Sequence, residues 1–87
     1  MSQDQILEVI IKSLSAHGIL TDAQILLLKN EMDINIAELG ADSLKIFDLA
    51  MDLEDAIGRE VKIGELADNP TILKLAHHLS DKTNSAG

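Results

Sequence analysis

Apolar residues recur at helical spacing in three stretches of this chain. Ile6, Leu7, Ile10, Ile11 and Leu14 follow a Ser2–Gln5 capping pair and run to Ala16, with Gly18 as a stop. That predicts a first helix over about 3–16. A second strong pattern runs over 43–57 and ends at Gly58. A third, Ile72, Leu75, Ala76 and Leu79, follows the helix-start pair Asn69–Pro70 and predicts a helix over about 71–81. Between the first two, DAQILLLKNEM (22–32) allows a shorter helix capped by Asp22, with Ile25, Leu28 and Met32 on one face. Residues 33–42 read as an ordered loop resting Ile34, Ile36 and Leu39 on the core. REVKI (59–63) reads as a connector with Val61 and Ile63 turned inward, GELAD (64–68) as one irregular turn, and 82–87 as a fraying tail.

The expected fold is therefore all-α. It is a single domain over 1–87, a small three-to-four-helix bundle with a long ordered loop between its first and second major helices. Composition agrees. Of the 87 residues 46% are hydrophobic, with one aromatic residue and two valines, which gives little material for a sheet.

The 43–57 segment, SLKIFDLAMDLEDAI, carries two apolar stripes rather than one. At 100° per residue Ile46, Leu49, Ala50, Leu53 and Ile57 share about a third of the circumference, enough to face a core. Leu44, Phe47 and Met51 form a second stripe centred about 130° away, with Asp48 and Asp55 beside it and Asp52 further round. A helix buried on two sides would explain this. So would an exposed apolar strip rimmed with acid, which suits a partner site that is apolar with a basic rim. Ser43 stands at the start of the same helix. By position alone such a serine is an ordinary cap, although Ile46 occupies the place where a capping box needs Glu or Gln.

Charge narrows the partners. Fifteen acidic residues against seven basic give a net charge of −8, which disfavours nucleic acid and anionic membranes. There is no cysteine, hence no disulfide or thiolate chemistry. The start MSQDQILE has neither the basic nor the apolar region of a signal peptide, and no apolar run approaches the ~20 residues of a membrane span. A soluble, cytoplasmic monomer is expected. His17, His77 and His78 lack metal-ligand spacing. Asp33-x-Asn35 opens like a calcium loop but fails at Ala37, Glu38 and Leu44. No metal site and no nucleophile–base pair is predicted, so the chain is not expected to be an enzyme.

The contiguous run Leu39–Gly40–Ala41–Asp42–Ser43–Leu44 resembles the phosphopantetheine attachment motif of acyl carrier proteins, free-standing type. Met51, Leu53, Glu54 and Asp55 match positions typical of that family's second helix, Glu60 and Val61 its connector, and Thr71–Ile72 the start of its last helix. The resemblance implies that a phosphopantetheinyl transferase moves 4′-phosphopantetheine from coenzyme A onto Ser43, whose arm then holds acyl groups as thioesters. It implies docking by Asp42, Leu44, Phe47, Asp48, Met51, Glu54 and Asp55. The partners would be acyltransferases, ketosynthases or acyl-activating ligases with basic patches, in fatty-acid, polyketide or related synthesis. It also implies an acyl-chain space lined by Ile46, Leu49, Ala50, Leu53, Val61 and Ile63. Lys45, where fatty-acid carriers usually have an acid, the bulky Phe47 and the apolar 22–32 segment point to a dedicated pathway. An unmodified acidic adaptor and an aminoacyl or peptidyl carrier are the alternatives.

Overall fold

The structure, a computed structural model, describes residues 2–40 and 42–85, without the side chains of Ser43 and of residues 81–85. Five helices follow in order: α1 (Gln3–Ala16), α2 (Asp22–Lys29), α3 (Ser43–Ile57), α4 (Ile63–Asp68) and α5 (Ile72–Ser85). A single 3-10 turn, Ile36–Leu39, lies between α2 and α3. Among the described residues there is no strand, only an isolated bridge between Asn35 and Thr71.

Helix α1 is the centre of the bundle, packing on α3 along one side and α5 along the other. It forms because Ser2 and Gln5 satisfy each other's backbone N–H groups at 2.9 and 3.2 Å. Its Ile6, Ile10, Ile11 and Leu14 are buried with Leu49, Ala50 and Leu53 of α3 and Ile72, Leu75, Ala76 and Leu79 of α5. Full burial of one such aliphatic side chain contributes about 1.5–3 kcal/mol. A polar bond also ties α1 to α3: the buried Ser13 hydroxyl donates to Asp52 Oδ2 at 2.6 Å.

The loop from 33 to 36 is held down by backbone pairing, which hydropathy does not reveal. Ile36 N–H donates to the Pro70 carbonyl at 2.9 Å, and Ile72 N–H donates to the Ile34 carbonyl at 3.0 Å. Asp33 Oδ1 accepts from Leu73 N–H at 2.9 Å, so the loop supplies a cap to α5. Ile36 is thereby buried, with Ile34 and Leu39 half-buried.

Several boundaries differ from the sequence expectations. Helix α2 ends at Lys29 rather than 32, and its cap is Thr21, paired reciprocally with Gln24, rather than Asp22. Leu28 is buried, but Met32 lies beyond the helix and is exposed. Residues 64–68 belong to a regular helix that begins at Ile63, not to an irregular turn. Ile63 does not turn inward; it is 46% exposed, while Val61 is buried. Pro70 precedes α5, whose first N–H groups are capped by Thr71 and Asp33, and α5 extends to Ser85, past the expected end near 81.

Helix α2 stops in an unusual way. Met32 N–H bonds back to the Leu27 carbonyl and Glu31 N–H to Leu28, the paired bonds of a Schellman ending. Its left-handed position is filled by Glu31, at φ 64°, where glycine is favoured. Glu31→Gly should remove that strain and stabilise the fold by about 0.5–1 kcal/mol, net of the greater freedom of glycine when unfolded. A thermal unfolding midpoint higher by about 2–6 °C is expected. An unchanged or lowered midpoint would contradict it.

Candidate functional site

The start of α3 is built by its neighbour in sequence. Asp42, in extended backbone, accepts from Lys45 N–H through Oδ1 at 2.9 Å and is the N-cap. Ser43 is the first residue inside the helix, so the capping role that position alone suggested for it belongs to Asp42. Ala41 and the Ser43 side chain lie outside the described structure. Asp42 and Leu44, on either side, are both exposed, Leu44 at 75%. The first-turn N–H groups of a helix have no intrahelical acceptor and lie at the positive end of its dipole.

Beyond that start, the two stripes of α3 separate as their spacing requires. Leu49, Ala50 and Leu53 are closed in the core, with Ile46 and Ile57 half-buried against it. Leu44, Phe47 (52% exposed) and Met51 (50% exposed) remain on the outside as a bare apolar strip. Burial of α3 on two sides is therefore not what the second stripe is for.

The acidic residues near the strip divide into two groups. Asp48 and Asp55 are exposed, and Asp48 lies 3.9 Å from His17 Nε2 at the end of α1. Asp42 and Glu54 have structural partners as well: Asp42 caps α3, and the half-buried Glu54 accepts from Val61 N–H through Oε1 at 3.1 Å. Asp52 is held by Ser13.

An apolar cleft of about 230 Å³ opens beside α3. One wall is the 3-10 segment with Asn35, Ile36 and Ala37; the other is α4 with Ile63, Leu66 and Ala67. Ile46 and Pro70 complete it. Of the six residues expected to line an acyl-chain space, Ile46 and Ile63 line this cleft. Leu49, Ala50, Leu53 and Val61 are at most 3% exposed and belong to the closed core. Ile36, Ala37, Leu66, Ala67 and Pro70 were missed because they come from segments whose meeting depends on the 34–36 to 70–72 pairing, and no periodicity encodes that.

Sequence reading also missed Glu65. Burial pushes its carboxyl up. Hydrogen bonds from Arg59, from Lys62 N–H and from His78, together with the Arg59 charge, outweigh this and lower its pKa from 4.5 to about 2. Among the described residues no cluster of His, Cys, Asp and Glu is placed to hold a metal ion, and no helix is long and apolar enough to cross a membrane.

The family model for the phosphopantetheine attachment site matches residues 23–79, from α2 to near the end of α5. The chain therefore belongs to the phosphopantetheine carrier family. Searches of curated proteins and of solved structures give no match. Domains of this family are non-catalytic carriers with covalently attached 4′-phosphopantetheine, and they interact with phosphopantetheinyl transferases and acyl-chain enzymes. The start of α3 fits such a group, with exposed flanks on both sides and helix N–H groups favourable to an anionic phosphodiester.

The lowered pKa of Glu65 has a consequence for acid stability. A carboxylate whose folded pKa lies below its ordinary value stabilises the fold above about pH 4.5 and loses that contribution as pH falls toward 2. Glu65→Gln should therefore be less stable than the native chain by about 1–2 kcal/mol at pH 6, allowing for partial solvent screening. The gap should narrow progressively between pH 4.5 and pH 2. A gap of constant size across that range, in urea titrations, would refute the assignment.

Proposed function

We propose that this chain is an acyl carrier whose arm is attached through the Ser43 hydroxyl. The observation that carries this reading is the juxtaposition at one helix end. An exposed α3 N-terminus within Asp42–Ser43–Leu44 adjoins both a bare apolar strip and an apolar cleft. The arm supplies a terminal thiol that holds cargo as a thioester, which a chain without cysteine cannot offer itself.

The residues of the chain divide the remaining work. Leu44, Phe47 and Met51 present an adaptable apolar contact to successive partner enzymes. Asp48 and Asp55, with the outer parts of Asp42 and Glu54, meet basic residues at its rim. Ile46 and Ile63 are the members of the predicted acyl-chain set that line the cleft and touch cargo there; Leu49, Ala50, Leu53 and Val61 support the cleft from the core.

Incubation with coenzyme A and a broad-specificity phosphopantetheinyl transferase tests the attachment. Intact mass should rise by one phosphopantetheine, and Ser43→Ala should abolish the gain. No gain in the native chain, or an equal gain in the variant, would leave an unmodified adaptor as the better description.

Fatty-acid, polyketide or related acyl-chain synthesis is the setting. Lys45 and Phe47, which border and belong to the docking strip, favour partner enzymes of a dedicated pathway over the housekeeping set. Acylation of the loaded carrier by both sets from its source should show at least a tenfold preference for the dedicated enzymes. Phe47→Ala should lower that rate at every ionic strength. Asp48→Asn with Asp55→Asn should lower it several-fold in low salt and little above about 0.5 M, where rim charges are screened. Preference for the housekeeping set would exclude the dedicated role.

A further inference from the structure

On the side of α4 away from the cleft lies a polar cluster that neither the attachment point nor the docking strip uses. Glu65 is its centre. Glu65 Oε1 lies 3.0 Å from both Arg59 Nη2 and His78 Nε2, and Oε2 accepts from Lys62 N–H at 2.9 Å. Arg59 Nη1 also donates to the Glu60 carbonyl at 2.6 Å. The Glu65, His78 and Arg59 side chains are all less than a third exposed. Charge-assisted bonds in such surroundings are stronger and more directional than those at an open surface.

The position of Glu65 on α4 gives the cluster a meaning. At 100° per residue, Glu65 stands about 150° round the helix from the mean direction of Ile63, Leu66 and Ala67, the α4 residues that line the cleft. One face of this six-residue helix is thus a cleft wall. The opposite face is tied to α5 through His78 and to the α3–α4 connector through Arg59. The facing wall is held in another way, by the backbone bonds between residues 34–36 and 70–72.

Two apolar walls facing each other across water attract, because closing them removes apolar surface from solvent. The 3-10 wall cannot move without breaking its backbone bonds. Helix α4 can, since Leu66 is its one buried side chain. We propose that the Glu65–Arg59–His78 cluster is a positioning device that holds α4 back from the 3-10 segment and keeps the cleft open for an uncharged apolar cargo chain. Among the described residues Asn35 is the one polar member of the lining, and no charged side chain belongs to it. An aminoacyl cargo would bring an ammonium group to a wall with nothing to pair it. The proposal rests on the reading of Ser43 as the attachment point.

The test uses the full chain with methyl-labelled Ile and Leu, loaded with an octanoyl-bearing arm by transferase and octanoyl-coenzyme A. In the native protein the Ile46, Ile63 and Leu66 methyl resonances should shift clearly relative to the unacylated carrier. His78→Leu removes the α5 partner. Glu65→Gln keeps an acceptor for Lys62 N–H, so the first turn of α4 survives, but removes the charge. In both variants the octanoyl-induced shifts should fall by at least half, with loading by intact mass unchanged and the Leu20 and Leu28 methyls unaffected. Native-sized shifts in both variants would overturn the proposal, even with a lowered melting temperature, because the cluster would then be a structural tie alone. Larger shifts would overturn it too, since α4 would be held in rather than back. Absence of any octanoyl mass on the native chain would remove the proposal through the attachment point instead of through α4.

Discussion

Helix α3 can leave three large apolar side chains in water because α1 covers its other face. Leu49, Ala50 and Leu53 are closed into a core to which α1 contributes Ile6, Ile10, Ile11 and Leu14 and α5 contributes Ile72, Leu75, Ala76 and Leu79. Helix α1 meets each of the other two long helices along an apolar stripe. The Ser13–Asp52 bond fixes the rotation of α3 within that contact. A rotation of one residue, 100°, would carry the Leu44–Phe47–Met51 strip toward the core and bring core leucines to the surface. The exposed apolar strip is therefore a consequence of the packing on the far side of the same helix.

The three long helices were legible because burial in a bundle writes a period of 3.6 into the sequence, and the stops at Gly18 and Gly58 are conformational. The split of α3 into two stripes was legible for the same reason. The proposed attachment at Ser43 rests on motif resemblance rather than periodicity, since the position itself reads as a cap and the structure gives that role to Asp42. What stayed hidden depends on contacts between segments distant in sequence. Asp33 capping α5 spans 40 residues, and Glu65 meeting His78 spans 13. Leu49, Ala50, Leu53 and Val61 were expected to line a cavity because the resemblance implies one; spacing tells which face of α3 is inward but not whether the inward space is filled.

The two walls of the cleft differ in kind. The 3-10 wall is held by backbone hydrogen bonds, which any sequence compatible with the turn can make. The α4 wall is held by the side chains of Arg59, Glu65 and His78, which substitution can remove one at a time. On the proposed reading, substitutions at Arg59, Glu65 and His78 shift that wall and with it the fit of cargo, and these three side chains lie outside the Leu/Ile cluster.

The acid on α3 is less available than the net charge of −8 suggests. Asp42 spends its carboxylate on the Lys45 N–H, Glu54 on the Val61 N–H and Asp52 on Ser13. That leaves Asp48 and Asp55 as the two acids beside the strip with no hydrogen bond to another of the described residues, and Asp48 has His17 nearby. Two exposed charges can steer a partner's approach, but at physiological salt their influence fades over about 8 Å. Three half- to three-quarters-exposed apolar side chains, by contrast, offer burial on contact that salt does not weaken. On the proposed docking reading, recognition at this face depends more on the shape of Leu44, Phe47 and Met51 than on charge. Phe47, the one aromatic residue of the chain, is the residue that most distinguishes that shape.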